Sequence, residues 1–133
     1  VPFDAAGYAG AGTAFVDDCF SEEFLERLEG LNRALPIAPK QKASPTDRAY
    51  FADTEGWVME HLNAAIAASG LPGVSQAVPL MRFLIYPEPG GSLPVHVDLS
   101  RTHLGRRSTH TFLLYMADCT EGGETVMLEG LEG

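Results

Sequence analysis

A histidine and an aspartate stand two residues apart, at His96 and Asp98, shortly after an apolar run and a glycine turn. Side chains alternate across an extended strand, so two residues separated by one neighbour point to the same side. An imidazole and a carboxylate on one side supply two of the three ligands of a facial triad. In such a triad two histidines and one carboxylate hold a non-haem Fe(II) and leave coordination positions open. Taken alone the pair is weak evidence, because it also occurs by chance as a surface histidine and a turn aspartate.

The residues on both sides of this pair add information. Tyr86 ends the apolar run, and the glycine turn at 87–91 lies between it and His96. Two arginines at 106–107 precede a second apolar run at 109–116, and a Gly-Gly-Glu-Thr corner follows at 122–125. In this order the residues resemble the prolyl 4-hydroxylase-like branch of the 2-oxoglutarate- and Fe(II)-dependent dioxygenases. That branch typically reads tyrosine, glycine turn, H-x-D, arginine, a strand ending in Tyr-Leu, and this corner.

The resemblance covers residues 80–128 well and residues 13–70 in outline. It implies an enzyme that hydroxylates a C–H bond with Fe(II), 2-oxoglutarate and O2, forms succinate and CO2, and has ascorbate as a further candidate cofactor. Prolyl hydroxylation of a peptide is the first expectation, and a small-molecule substrate stays open. The residues to which it assigns roles are His96 and Asp98 as metal ligands, Tyr86, Thr111, Tyr115 and Thr125 as 2-oxoglutarate-binding residues, and Arg107 as a substrate-binding residue.

Several of these residues also have ordinary structural interpretations. Tyr86 fits a half-buried aromatic at a strand end, and Thr111 fits a plain strand former. Arg107 fits a solvated cation in a loop. We do not expect the remaining histidines to bind metal, since His110 is one residue out of phase with Thr111 and should point to the opposite face. These other histidines are His61, His103 and His110.

The chain departs from the family pattern after the corner. The family has a third ligand, a later histidine, and beyond it a basic residue that pairs with 2-oxoglutarate, whereas the last histidine here is His110 and the last basic residue is Arg107. We therefore expect residues 1–133 to be the N-terminal portion of a longer catalytic domain, ending before both of these groups. The alternative is an incomplete remnant of such a domain. These residues alone should bind metal poorly and should not turn over.

The patterns along the chain predict an α+β domain, with helices first and strands after them. Ser21 should cap a helix that Pro36 ends, and a second helix fits Trp57 to Ser69. A polar loop runs from Pro36 to Asp47, and residues 38–48 are expected to be a substrate lid or a plain surface connection. The helical lead-in then spans about 13–72 and the β core about 78–128, for which the resemblance implies a double-stranded β-helix (jelly roll) with its C-terminal strands missing. The expected strands are 13–16 and, roughly, 78–86, 94–98, 109–116 and 124–128, and the lid cations are Lys40 and Lys42.

Composition limits the function further. The formal net charge of −9, from 9 basic and 18 acidic residues, argues against nucleic-acid binding through a broad basic surface. The apolar runs are too short for a membrane-spanning helix. Two distant cysteines, Cys19 and Cys119, are expected to be free thiols in a reducing, intracellular compartment. The oligomeric state stays open, and so do two other function classes: a non-catalytic binding module, and a cupin-like metal-binding protein.

Overall fold

The fold is α+β, as the sequence predicts. The computed structural model describes residues 12–40, 44–74, 76–94, 96, 98–117 and 121–122. Within them two helices and two small antiparallel sheets are present. In chain order the elements are α1 (Glu22–Ala34), β1 (Asp47–Ala52), α2 (Trp57–Ser69), β2 (Leu80–Ile85), β3 (Thr102–His103) and β4 (Arg106–Arg107).

Helix α1 begins where its local chemistry predicts. Ser21 has an extended backbone and its side chain accepts a hydrogen bond from the Phe24 amide at 3.2 Å. Glu22 and Glu23 lie in the first turn and Arg33 in the last, so the charges complement the helix dipole. The helix ends before Pro36, whose ring cannot continue it. The predicted cap and the predicted end are both confirmed.

A single buried carboxylate organises the start of α2. Asp53 is only 4% exposed. Its Oδ1 accepts from the amide of Gly56 at 3.0 Å, and its Oδ2 accepts from the amides of Val58 at 2.9 Å and Met59 at 2.8 Å. Its own amide donates to the carbonyl of Pro79 at 2.8 Å. Asp53 therefore ties the end of β1 to the first turn of α2 and to the start of β2.

Replacing Asp53 by alanine should lower the free energy of unfolding by about 2–3 kcal/mol, because a helix cap is lost and a buried donor is left unpaired. Equilibrium urea unfolding measures this directly. Asp17→Ala removes the same charge from an exposed position and should change stability little. Equal effects of the two substitutions would show that the three hydrogen bonds contribute nothing specific.

The hydrophobic core lies between the two helices and the antiparallel sheet formed by β1 and β2. The two strands pair antiparallel, with Ala49 opposite Phe83. Phe24 is 3% exposed, and its ring stacks on His61 with centroids 4.0 Å apart and meets Trp57 edge-on at 6.0 Å. His61 is thus a packing residue of α2, whose Nδ1 also lies 2.8 Å from the Trp57 carbonyl oxygen. The buried apolar members of the core are Phe24, Leu28, Ala49, Val58, Leu62 and Phe83.

Three expectations about strands were wrong in the residues that the structure describes. Residues 13–16 form no strand, and neither do 109–116 nor the described part of 94–98, while 124–128 lies outside the described residues. In the run at 109–116, Leu113 is 54% exposed, and none of these residues takes part in the strand pairing of the described residues. A strand needs a partner, and an apolar pattern shows propensity without showing which segment supplies it. The described strands accordingly do not complete a double-stranded β-helix.

The composition also led to expectations about membrane-spanning helices and about the two cysteines. Neither of the described helices is long and apolar enough to cross a membrane. Cys19 is a free, exposed cysteine, in agreement with the prediction of a thiol. Cys119 lies outside the described residues, so its pairing stays a prediction.

Candidate metal centre

The side chains of His96 and Asp98 lie against each other. His96 Nε2 is 3.2 Å from Asp98 Oδ1, and the two side chains are 54% and 52% exposed. The contact agrees with the prediction that both point to one side, although no strand is assigned at either residue. An imidazole and a carboxylate are thus held together where solvent or a ligand can reach them.

Hydrogen bonding orients the His96 ring. Its Nδ1 lies 2.8 Å from the carbonyl oxygen of Pro94. A carbonyl oxygen only accepts, so Nδ1 carries a proton and donates it. In the neutral ring Nε2 is then unprotonated, and its lone pair faces the negatively charged Asp98. A metal ion placed between the two groups would use the same two atoms, His96 Nε2 and Asp98 Oδ1. A histidine whose far nitrogen donates to a carbonyl is the usual arrangement of a metal ligand.

The carboxylate of Asp98 is held in a similar way. Its Oδ2 accepts a hydrogen bond from the Thr111 hydroxyl at 2.9 Å. The other oxygen, Oδ1, is the one that faces His96. Donors about 2.1 Å from an octahedral metal and at right angles lie about 3.0 Å apart. The observed separation of 3.2 Å is compatible with two neighbouring ligands of one metal ion and equally with a hydrogen bond between the two groups.

Thr111→Val should weaken metal binding about 10-fold, because loss of a group that orients a ligand typically costs 10–100-fold in affinity. Valine keeps the shape and removes only the hydroxyl. A competition titration with a fluorescent chelator measures the change. Thr109→Val is the matched control, since the Thr109 hydroxyl lies 2.8 Å from His110 Nδ1 and does not contact Asp98. Equal metal affinities for the two variants would remove Thr111 from the site.

Tyr86 lies on the turn that leads to this pair. It is 46% exposed at the end of β2. A Cβ added at Gly91 would lie 2.9 Å from Tyr86 Cδ1 and 3.3 Å from the Pro45 side chain, so only glycine allows this close approach. The turn and Pro45 line an open cleft of about 410 Å³. Tyr86 is thus held by packing against the turn while part of its ring stays accessible.

The segment expected to be a lid is partly structured. Strand β1 begins at Asp47, which the sequence interpretation had placed in the loop, and Thr46 is 1% exposed. Lys40 Nζ lies 2.8 Å from Asp47 Oδ1 and donates to the Ser44 carbonyl at 3.1 Å. The loop expectation was therefore wrong at its C-terminal end, because pairing with β2 extends the order into it. Lys42 lies outside the described residues, and the lid itself stays a prediction.

The other expected site residues are distributed as follows. Tyr115 is 58% exposed. Arg107 lies on β4, where its Nε donates to Ser100 Oγ at 2.9 Å. Thr125 lies outside the described residues. Across the described part of the chain, no group of three or more histidine, cysteine, aspartate or glutamate side chains could hold a metal. Hence His96 and Asp98 form a pair there, with no third ligand of these types.

Two features that support the pair were not predicted from the sequence. The Pro94 carbonyl orients His96, and the Thr111 hydroxyl holds Asp98. Thr111 had been assigned to the co-substrate pocket by resemblance, whereas the structure places it on the carboxylate. A backbone acceptor two residues before a histidine has no signature in side-chain types, so sequence patterns could not have indicated it.

Comparison of the chain with protein-family models, with curated proteins and with solved structures gives no match.

Proposed function

We propose that this chain contributes the first two metal ligands of an Fe(II)- and 2-oxoglutarate-dependent oxygenase that hydroxylates a C–H bond. The observation that carries the proposal is the contact between His96 Nε2 and Asp98 Oδ1 at 3.2 Å, with the remaining polar atom of each side chain hydrogen-bonded elsewhere. A solvent-exposed ion pair contributes only about 0–1 kcal/mol to stability, and here each partner is also oriented by a second hydrogen bond. The order of motifs around the pair supplies the choice of chemistry.

The residues have distinct roles in this proposal. His96 and Asp98 bind Fe(II), and the Pro94 carbonyl and Thr111 orient them. Tyr86 donates a hydrogen bond to a carboxylate of 2-oxoglutarate. Bound iron supplies the oxidising chemistry, in which 2-oxoglutarate and O2 become succinate and CO2 and an oxygen atom enters the substrate. The protein supplies position and a site with limited access to water.

The remaining assignments of the proposal come from the resemblance. In the family that the chain resembles, the domain is a double-stranded β-helix and a later histidine supplies the third ligand, a role that we give to none of the chain's other histidines. Tyr115 and Thr125 line the 2-oxoglutarate pocket. The substrate is a peptide, with proline as the first candidate residue, and Arg107 contacts it. The hard carboxylate and borderline imidazole suit Fe(II), while Mn, Co, Ni and Zn also bind such ligands.

The decisive experiment is an anaerobic titration of the natural full-length protein with Fe(II) and 2-oxoglutarate. We expect the weak visible charge-transfer absorption of an iron–2-oxoglutarate chelate, and succinate formation once O2 is admitted. Metal binding with neither signal would overturn the oxygenase proposal and favour a cupin-like metal-binding protein. Absence of metal binding would instead favour a non-catalytic module.

Tyr86→Phe should weaken 2-oxoglutarate binding about 10-fold or more, because a hydrogen bond to a charged group typically contributes 1.5–3 kcal/mol. The ring and its contact with Gly91 are kept, so the fold should be unaffected. The measurement is the concentration of 2-oxoglutarate that gives half of the absorption change. Tyr50→Phe, on the exposed side of β1, is the control. An unchanged affinity would return Tyr86 to a packing role.

A further inference from the structure

A small hairpin follows His96 and Asp98 in the chain. Thr102 pairs with Arg107 and His103 with Arg106, so β3 and β4 are antiparallel. The two residues between them, Leu104 and Gly105, have φ of 49° and 74°. Positive φ at both central positions is the signature of a type I′ turn, the connection that best matches strand twist. The segment is therefore a defined structure and not an arbitrary loop.

Hydrogen bonds at the base of the hairpin hold it closed. The Ser108 amide donates to the Arg101 carbonyl at 2.7 Å, and the Arg101 amide donates to Ser108 Oγ at 2.8 Å. Ser100 Oγ donates to the Ser108 carbonyl at 2.6 Å and accepts from Arg107 Nε at 2.9 Å. Because Ser100 follows Asp98 by two residues, this network fixes the hairpin next to the metal pair.

The charge of this segment is opposite to that of the chain. Residues 99–117 contain three of the nine basic residues and none of the eighteen acidic ones, while the whole chain carries −9. All three arginines are exposed, and Arg106 is also engaged in an interaction of its own. Because Thr102 lies opposite Arg107, alternation puts Arg101 and Arg106 on one face of the hairpin and Arg107 on the other. A local positive surface on an acidic protein attracts anionic groups that the rest of the protein surface repels.

The hairpin also carries two large apolar side chains in solvent. Leu104 at the turn is 89% exposed and Leu99 at the base is 85% exposed. Single exposed leucines are common, but two on one short hairpin beside arginines combine an apolar anchor with a charged surround. Inorganic anions would use the arginines and not the leucines. A peptide with acidic and apolar residues would use both.

We infer that the β3–β4 hairpin docks an acidic segment of a peptide substrate, with Arg101 facing its carboxylates and Leu104 contacting an apolar side chain. The inference rests on the proposed function and adds the substrate class: a peptide with Asp or Glu near the residue to be hydroxylated. Docking at this hairpin brings that residue close to His96 and Asp98.

The test uses the natural full-length protein and three fluorescein-labelled probes. One peptide carries glutamates around a Leu-Pro pair, the second has glutamine in place of each glutamate, and the third probe is a single-stranded oligonucleotide. In fluorescence anisotropy we expect the glutamate peptide to bind about fivefold to tenfold more tightly than the glutamine peptide, a difference that shrinks with added salt. Equal affinities for the two peptides would overturn the inference. So would tighter, arginine-dependent binding of the oligonucleotide, which would indicate a nucleic-acid surface.

Substitutions separate the charged and apolar parts. Arg101→Glu should abolish the preference for the glutamate peptide, while Arg82→Glu, the same change at an exposed position on β2, should leave it intact. Leu104→Asn tolerates the positive φ and should weaken both peptides equally. A preference that survives Arg101→Glu, or an effect of Arg82→Glu as large, would overturn the assignment.

His96→Ala distinguishes this inference from the proposed function. The variant should keep the full glutamate preference, since docking needs no metal; loss of the preference would overturn the assignment to the hairpin. If the glutamate peptide docks but 2-oxoglutarate is not turned over, the docking inference stands and the oxygenase proposal is overturned. If 2-oxoglutarate is turned over but the glutamate peptide is not preferred, the oxygenase proposal stands and the docking inference is overturned.

Discussion

Replacing either His96 or Asp98 by alanine should lower Fe(II) affinity by more than about 100-fold, because each change removes a ligand outright and loss of an outer contact alone costs 10–100-fold. Both side chains are about half exposed and lie outside the hydrophobic core. The free energy of unfolding of the apoprotein should therefore change by no more than about 0.5 kcal/mol. Iron stoichiometry by colorimetric assay and urea unfolding of the same samples measure the two quantities.

The matched control is His110→Ala. His110 is exposed, and its Nδ1 lies 2.8 Å from the hydroxyl of the neighbouring Thr109. The His110→Ala variant should bind Fe(II) with the same affinity as the unaltered protein. Iron binding that persists in both ligand variants, or is lost in the control as well, would place the metal elsewhere.

Phe24→Ala should lower the free energy of unfolding by about 3–5 kcal/mol, the usual cost of deleting a buried aromatic ring. The Phe24 ring is 3% exposed and contacts Phe20, Trp57 and His61. Its removal would leave a cavity between α1 and α2. Chemical denaturation gives the value, and a shift in midpoint without a change in slope would show that the native and unfolded states are otherwise unaltered.

Phe15→Ala provides the comparison, because Phe15 is 56% exposed and loses less contact on truncation. It should cost less than about 1 kcal/mol. Similar losses for the two phenylalanines would mean that the core is not where the buried side chains indicate.

The helices were predictable because their determinants are local. Ser21 with two following glutamates, and Gly70 at φ 69° after α2, mark a start and an end within a few residues. Strand β1 was missed for the opposite reason. Asp47–Ala52 shows no strict alternation, and its order comes from pairing with β2, more than two dozen residues later in the chain. The role of Asp53 was not predicted either. A capping side chain usually comes from the N-cap residue itself, which is Gly56 in α2, whereas Asp53 lies three residues before it.

The candidate site shows the same division. The spacing of His96 and Asp98 predicted side chains on one side of a strand; the two side chains are in contact, although no strand is assigned at either residue. The contact between Thr111 and Asp98 joins positions thirteen residues apart in sequence, and nothing local to either residue indicates it. The sequence indicated that His96 and Asp98 lie together, but it could not indicate that Thr111 holds the carboxylate.

The separation between the hydrophobic core and the His96–Asp98 pair has a consequence for local opening of the chain. The core side chains come from residues 24–83, whereas His96 and Asp98 are held by a few hydrogen bonds among exposed groups. Segments with few buried contacts open with much smaller free energies than the whole domain does. Amide hydrogens of α1, α2, β1 and β2 should therefore exchange with deuterium by global unfolding. Those near His96 and Asp98 should exchange by local fluctuation. Bound metal should slow exchange at the second group alone, so that loading the site becomes visible as a change in protection confined to the segment after β2.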